Sequence, residues 1–122
     1  MNFYDLTIPT GADFSKSFAI KNNSLPMDLT TYSGFFYIVK NDSTISSVVF
    51  SQDSGNITNG GTSGTLVLSL SPSEISTIDG NFYRLEVDNG TVKTELLSGN
   101  LFLLSDVKAG LEYLIPTLRM QI

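Results

Sequence analysis

The side chains that carry most enzyme chemistry are missing from this sequence. Its 122 residues include no His and no Cys. That removes the commonest general base, the commonest metal ligand and every thiolate. Ser and Thr hydroxyls remain, with 7 Lys and Arg and 12 Asp and Glu. A hydroxyl nucleophile needs a base beside it. Without His the precedented partner is a lysine, and the choices are Lys16, Lys21, Lys40, Lys93 and Lys108. No local motif joins any of them to a serine.

Glycoside hydrolysis needs two carboxylates fixed across a cleft. Asp28, Glu74, Asp79 and Glu86 are the candidates, and their spacing does not bring them together. Asp53-Ser54-Gly55-Asn56 has the oxygen-rich start of a calcium loop. No Glu closes it at the required distance, so it reads as a polar turn. Gly55, Gly60, Gly61 and Gly64 lead into a strand rather than a helix with a lysine, which is wrong for a phosphate cradle. The sequons at Asn22, Asn41, Asn56 and Asn89 read as products of an Asn- and Ser/Thr-rich composition. The expectation is a chain with no catalytic, cofactor-binding or metal-binding residues, and not an enzyme.

Charge narrows the partners. The net charge is -5. Nucleic acid and anionic membrane both require clustered Lys and Arg, so neither is expected as a partner. No apolar stretch approaches membrane-spanning length, and Met1-Asn2-Phe3-Tyr4-Asp5 lacks the basic and apolar regions of a signal peptide. With no Cys, this fits cytosolic synthesis. The 8 Phe and 5 Tyr give sugar stacking a minor share, centred on Phe36, Phe82 and Tyr32.

These residues are positioned by strands. Tyr4 to Ile8 alternates apolar and polar residues, as does Phe14 to Ile20. Lys16 falls on the apolar face of the second, which fits an edge position or a snorkelling stem. Asn22 to Pro26 reads as a loop, and Asp28 to Tyr32 as a tight corner rather than a strand. Phe35 to Val39 is apolar on both faces, as a central strand is. Ile45 to Phe50 is a weaker strand. Ser51 to Gly64 reads as the longest and most mobile loop. Thr65 to Leu70 points Leu66, Leu68 and Leu70 to a core. Ser71-Pro72-Ser73-Glu74 is a capping box with Pro at the first helical position, opening a short helix that Asp79-Gly80 stops. Phe82 to Val87 and Thr91 to Leu97 form a hairpin across Asp88-Asn89-Gly90, read as a type I′ turn. Ser98-Gly99 bends or bulges the return strand, and Leu101 to Leu104 continues it.

About seven short strands with regular turn signals predict an all-β sandwich or barrel over residues 1–104, with the sandwich preferred. Residues 105–122 form a C-terminal extension of different character, broken by Gly110 and Pro116. Leu111, Tyr113, Leu114, Ile115, Leu118, Met120 and Ile122 make it too apolar to leave in water. It either folds back as a strand on its own sheet or lies on a neighbouring subunit. The second reading is preferred, and it makes those seven residues the expected protein interface.

The motif order resembles small immunoglobulin-like domains of bacteriophage tails and baseplates, including the N-terminal domains of upper baseplate proteins. Tyr4-Asp5-Leu6-Thr7-Ile8, Gly11-Ala12-Asp13-Phe14 and Pro26 to Tyr32 carry the first part. Gly64 to Glu74, Gly80 to Val87 and Gly90 to Leu101 carry the rest, so roughly residues 4 to 104 are covered. The sequence departs from the pattern at Thr31, where Gly is typical, and at Arg84, where Asp is common. The Gly80 to Leu85 stretch is also one residue short. The resemblance implies an immunoglobulin-like antiparallel β-sandwich with one short helix. It also implies a structural or adaptor protein of the virion tail, baseplate or neck. Its partners would be other virion proteins and copies of itself in a symmetric ring. The alternative is a carbohydrate- or receptor-binding module at the host-facing end of the tail.

Overall fold

A computed structural model of the chain describes residues 2–40, 45–104 and 117–121. Apolar residues alternate along most of its strands, and each strand therefore has one face to bury. Two sheets satisfy this by packing face to face. The first holds β1 (Asn2–Phe3), β2 (Leu6–Pro9), β5 (Ser33–Val39), β6 (Ile45–Ser51), β9 (Phe82–Asp88) and β10 (Lys93–Leu104). The second holds β3 (Phe14–Asn22), β4 (Leu25–Pro26), β7 (Ile57–Asn59), β8 (Thr65–Leu70) and β11 (Thr117–Gln121). In space the first sheet runs β1-β10-β9-β5-β6, with β2 also on β10. The second runs β11-β3-β8-β7, with β4 on β3. The chain is therefore an all-β, two-sheet sandwich.

The core is the set of inward positions that the alternation identifies. Phe18 and Ile20 on β3, Leu66 and Leu68 on β8, and Tyr83 and Leu85 on β9 are all buried. Phe36 stacks on Tyr83 with ring centroids 5.3 Å apart and lies 6.4 Å from Phe50. Each such side chain contributes about 1.5–3 kcal/mol by leaving water. Lys16 is only 4% exposed, and its ammonium sits 5.4 Å from the centre of the Tyr4 ring. Its charge therefore lies under an aromatic face, and the stem does not snorkel into solvent.

Two turns differ from the sequence reading. Asn23 and Ser24 both have positive φ, 53° and 66°, and make a two-residue hairpin from β3 to β4 where a plain loop is expected. Positive φ at both central residues is the type I′ pattern. In the β9–β10 hairpin only Gly90 has positive φ, at 93°. Asn89 N–H bonds the Val92 carbonyl across Gly90 and Thr91. A type I′ Asn89-Gly90 turn needs positive φ at both residues, so the type I′ assignment is corrected; Asn89 Oδ1 instead accepts from the N–H groups of Thr91 and Val92.

β10 also runs unbroken past Ser98-Gly99, and its register shift lies between Glu95 and Leu97. The bend sits on the strand beside it. β1 and β2 both pair parallel with β10, at Leu97–Ser98 and Leu101–Leu104, and the chain steps between them at Tyr4-Asp5, opposite Gly99. A methyl on Gly99 would overlap the Tyr4 carbonyl. Glycine is needed here for the close backbone approach, not to bend its own strand.

The segment from Ser51 to Gly64 is ordered by its own polar side chains. It contains β7, which pairs antiparallel with β8, and a 3-10 turn over Gly61–Ser63. Asn59 donates to the carbonyls of Leu29 and Tyr32, both at 2.9 Å. Asn56, 6% exposed, donates to the Ser69 carbonyl at 3.1 Å and to Glu74 Oε2 at 2.7 Å. The expected mobile loop is thus a strand tethered at two asparagines. The predicted capping box is present: Ser71 Oγ accepts from Glu74 N–H and Glu74 Oε1 accepts from Ser71 N–H, opening the helix α1 (Pro72–Ile75).

Candidate functional site

The carboxylates that an enzyme would need are each taken up locally. Asp28 accepts from the hydroxyl and the N–H of Thr30, which together hold its carboxyl below the usual aspartate range. Glu74 accepts from Asn56 and from Ser71 N–H, and those bonds lower its pKa in that order of strength. Asp79 pairs with Lys40 at 3.0 Å on the surface. Glu86 lies 3.1 Å from Arg84 Nε. Among the described residues, no three Asp or Glu side chains come together in a way that could hold a metal ion. Asn56, one of the four sequon asparagines, is buried with its amide donating to two partners.

The aromatic residues divide by strand parity. Of the three named for sugar stacking, Phe36 points inward and is buried, Tyr32 is half-buried against the core and Phe82 is exposed. The outward aromatics of β5 are Phe35 and Tyr37, whose rings stack at 5.9 Å with 19° between their planes. The Arg84 guanidinium covers Tyr37 at 5.5 Å and lies between Glu86 and Glu95. A shallow depression of about 490 Å³ beside them is lined by Tyr37, Ile45, Arg84, Glu86, Lys93 and Glu95. A residue pair apolar on both faces leaves the choice between Phe35 and Phe36 open. Only the strand's register decides it.

Three of the exposed large apolar side chains lie at one edge of the first sheet, while Ile45 and Val49 lie on β6 at the other. Phe3 on β1 is 69% exposed, Phe102 on β10 is 52% exposed, and Leu103 beside it is exposed as well. β10 pairs with β9 only as far as Asn100, and from Leu101 to Leu104 it has β2 as its ladder partner. A strand that continues past its hairpin partner exposes side chains a full sheet would cover. The signal in the sequence is Leu101-Phe102-Leu103-Leu104, an apolar run on both faces beyond Gly99.

Of the seven residues expected at an interface, Leu118 and Met120 lie in β11. That strand pairs parallel with β3 of the same chain, setting Leu118 opposite Phe18 and Met120 opposite Ile20. Leu111, Tyr113, Leu114, Ile115 and Ile122 lie outside the described residues. Within the extension, therefore, Thr117–Gln121 adds a strand to its own second sheet. No protein-family model matches the chain, and no curated protein matches it.

Proposed function

We propose that this chain is a structural or adaptor component of a bacteriophage virion, in the tail, baseplate or neck, and not an enzyme. It is made in the host cytoplasm and works through assembly contacts with other virion proteins and with copies of itself in a symmetric ring. The virion setting rests on the resemblance of residues 4 to 104. We also infer an immunoglobulin-like sandwich. The strand order supports it: β10-β9-β5-β6 in one sheet faces β3-β8-β7 in the other, and a short helix lies between β8 and β9.

The observation that carries the assembly reading is the exposure of Phe3, Phe102 and Leu103 at the β1–β10 edge of the first sheet. Single exposed apolar residues are ordinary, but three along one edge mark a surface that a partner covers. Covering each side chain fully is worth about 1.5–3 kcal/mol. The test is a Phe102→Ser, Leu103→Ser double variant, with microscopy of assembled particles to locate the chain. The variant is expected to keep its circular dichroism and to lose incorporation. Normal incorporation of the variant overturns the reading. Deleting Ala109 to Ile122 asks the companion question. A folded chain that fails to assemble supports an intersubunit role for the extension, and an unfolded one means that β3 needs β11.

A second reading, glycan or receptor binding at the tail tip, is supported by the Phe35–Tyr37 stack beside a depression that mixes Arg84, Lys93, Glu86 and Glu95. Binding on a glycan array that disappears in Tyr37→Ala favours it. An array without hits removes it.

A further inference from the structure

We propose that Asn89 is a self-modification site, where the β9–β10 hairpin tip converts this side-chain amide to a carboxylate through a succinimide with the Gly90 nitrogen. The inference goes beyond the assembly reading and does not rest on it.

The sequence holds two Asn-Gly pairs, Asn59-Gly60 and Asn89-Gly90. In either pair the Gly nitrogen can close a small ring on the Asn Cγ, because no Cβ on the following residue obstructs the approach. The covalent chemistry is the same. The surroundings are opposite.

At Asn89 the turn supplies what ring closure needs. Gly90 N–H donates to Asp88 Oδ1 at 2.7 Å, so a carboxylate already holds the proton that must leave. Asn89 Oδ1 accepts from Thr91 N–H at 2.9 Å and from Val92 N–H at 2.8 Å. These bonds curl the side chain forward over the Asn89–Gly90 peptide, toward the nitrogen that attacks. They also put two donors on the oxygen where negative charge develops when Cγ is attacked. Asn89, Gly90 and Thr91 are exposed, so water reaches the ring once it forms.

At Asn59 the fold works against the same step. Gly60 N–H donates to the Thr65 carbonyl at 2.8 Å, a neutral acceptor and a poor base. Asn59 Nδ2, the group that would leave, donates to the Leu29 and Tyr32 carbonyls and to Gln52 Oε1. Departure would break all three bonds. Asn59 Oδ1 does accept from Gly61 N–H at 2.8 Å. What separates the two sites is therefore the base at one and the tethered leaving group at the other.

The step balances without an oxidant or reductant. Gly90 N gives its proton to Asp88, and its electron pair bonds Asn89 Cγ. The Cγ–Oδ1 double bond opens onto the oxygen. As it re-forms, the Cγ–Nδ2 bond breaks, and ammonia leaves with the proton that Asp88 returns. Water then opens the ring at Cγ, giving aspartate, or at the main-chain carbonyl, giving isoaspartate. Either product adds a negative charge to a chain whose net charge is -5. The iso form also lengthens the main chain of the turn by one methylene.

The test is peptide mapping by mass spectrometry of the full chain kept in neutral buffer, beside a sample unfolded in guanidinium chloride. In the folded chain, aspartate and isoaspartate are expected to accumulate at position 89 at least ~10-fold faster than at position 59. They are also expected to form faster at position 89 than in the unfolded sample. Asp88→Ser keeps an oxygen for Gly90 N–H but removes the base. It is expected to slow position 89 at least ~10-fold and to leave position 59 unchanged. If that variant melts early, Asp88→Glu, which moves the carboxylate away from Gly90 N–H, takes its place. Equal rates at the two positions, a folded rate at position 89 no higher than the unfolded one, or an unchanged rate in the Asp88 variants each overturn the proposal.

Discussion

Asn56 donates its side-chain amide to Glu74 Oε2 at 2.7 Å, joining residues 18 positions apart. The same amide reaches the Ser69 carbonyl, while the other oxygen of Glu74 closes the capping box on Ser71. One carboxylate thus fastens both the start of the helix and the segment leading into β7.

Acid should loosen this joint. The bonds from Asn56 and Ser71 lower the Glu74 pKa in the folded chain. A depressed carboxyl pKa adds stability above the unfolded value, about 4.3, which is lost as pH falls through the lower folded value. Urea titrations from pH 6 to pH 3 should show a steeper fall for the wild type than for Glu74→Gln. Asn56→Ala should cost about 1–3 kcal/mol at pH 7, because it strips partners from partly buried acceptors. A shallow acid limb in the wild type would refute the linkage.

Alkali should act at a second joint, where β9 meets the N-terminal strands. Tyr83 is buried, and its hydroxyl donates to the Tyr4 carbonyl. Burial, followed by the charges of Tyr4 and Asp5, pushes its pKa up. The folded chain therefore holds this proton more tightly than the unfolded one. The stabilisation is complete below the unfolded value, about 10, and is lost as pH rises above it. Tyr83→Phe should flatten the alkaline limb of a stability curve. It should also cost about 1–2 kcal/mol at neutral pH through the lost hydrogen bond.

Gly99 should tolerate no side chain. Alanine there collides with the Tyr4 carbonyl, so β1 and β2 must shift off β10. The expected loss is about 1–3 kcal/mol. Hydrogen exchange should quicken at Tyr4, whose N–H bonds the Ser98 carbonyl at 2.9 Å, before it quickens in β9. Unchanged exchange at Tyr4 would contradict the close approach.

Ser24→Gly should stabilise the chain. A left-handed conformation costs a non-glycine residue about 1–2 kcal/mol. Glycine returns roughly half of that gain through the freedom it adds to the unfolded chain. A net gain of about 0.5–1 kcal/mol, read as a melting temperature higher by a few degrees, is the expected outcome.

Much of this architecture was legible in local patterns. Leu66, Leu68 and Leu70 alternate toward the core because side chains in a strand alternate by geometry. The capping box at Ser71 and Glu74 is a contact over three residues, so its motif is sufficient. Lacking His and Cys, the chain also has a narrower range of chemistry before any fold is known.

Tertiary structure decided the long-range contacts. Composition made Ser51 to Gly64 look like a mobile loop, yet Asn56 and Asn59 find acceptors on β8, α1 and the corner before β5. Gly99 looked like a bend in its own strand, and it is instead the place where Tyr4 passes. Phe35 and Phe36 are identical in kind, and only pairing with β6 and β9 sends one outward and one into the core. Hydropathy and turn residues act over a few positions, so the sequence alone settles them. Which backbone a side chain meets across tens of residues depends on register between strands, and the packing of the two sheets sets that register.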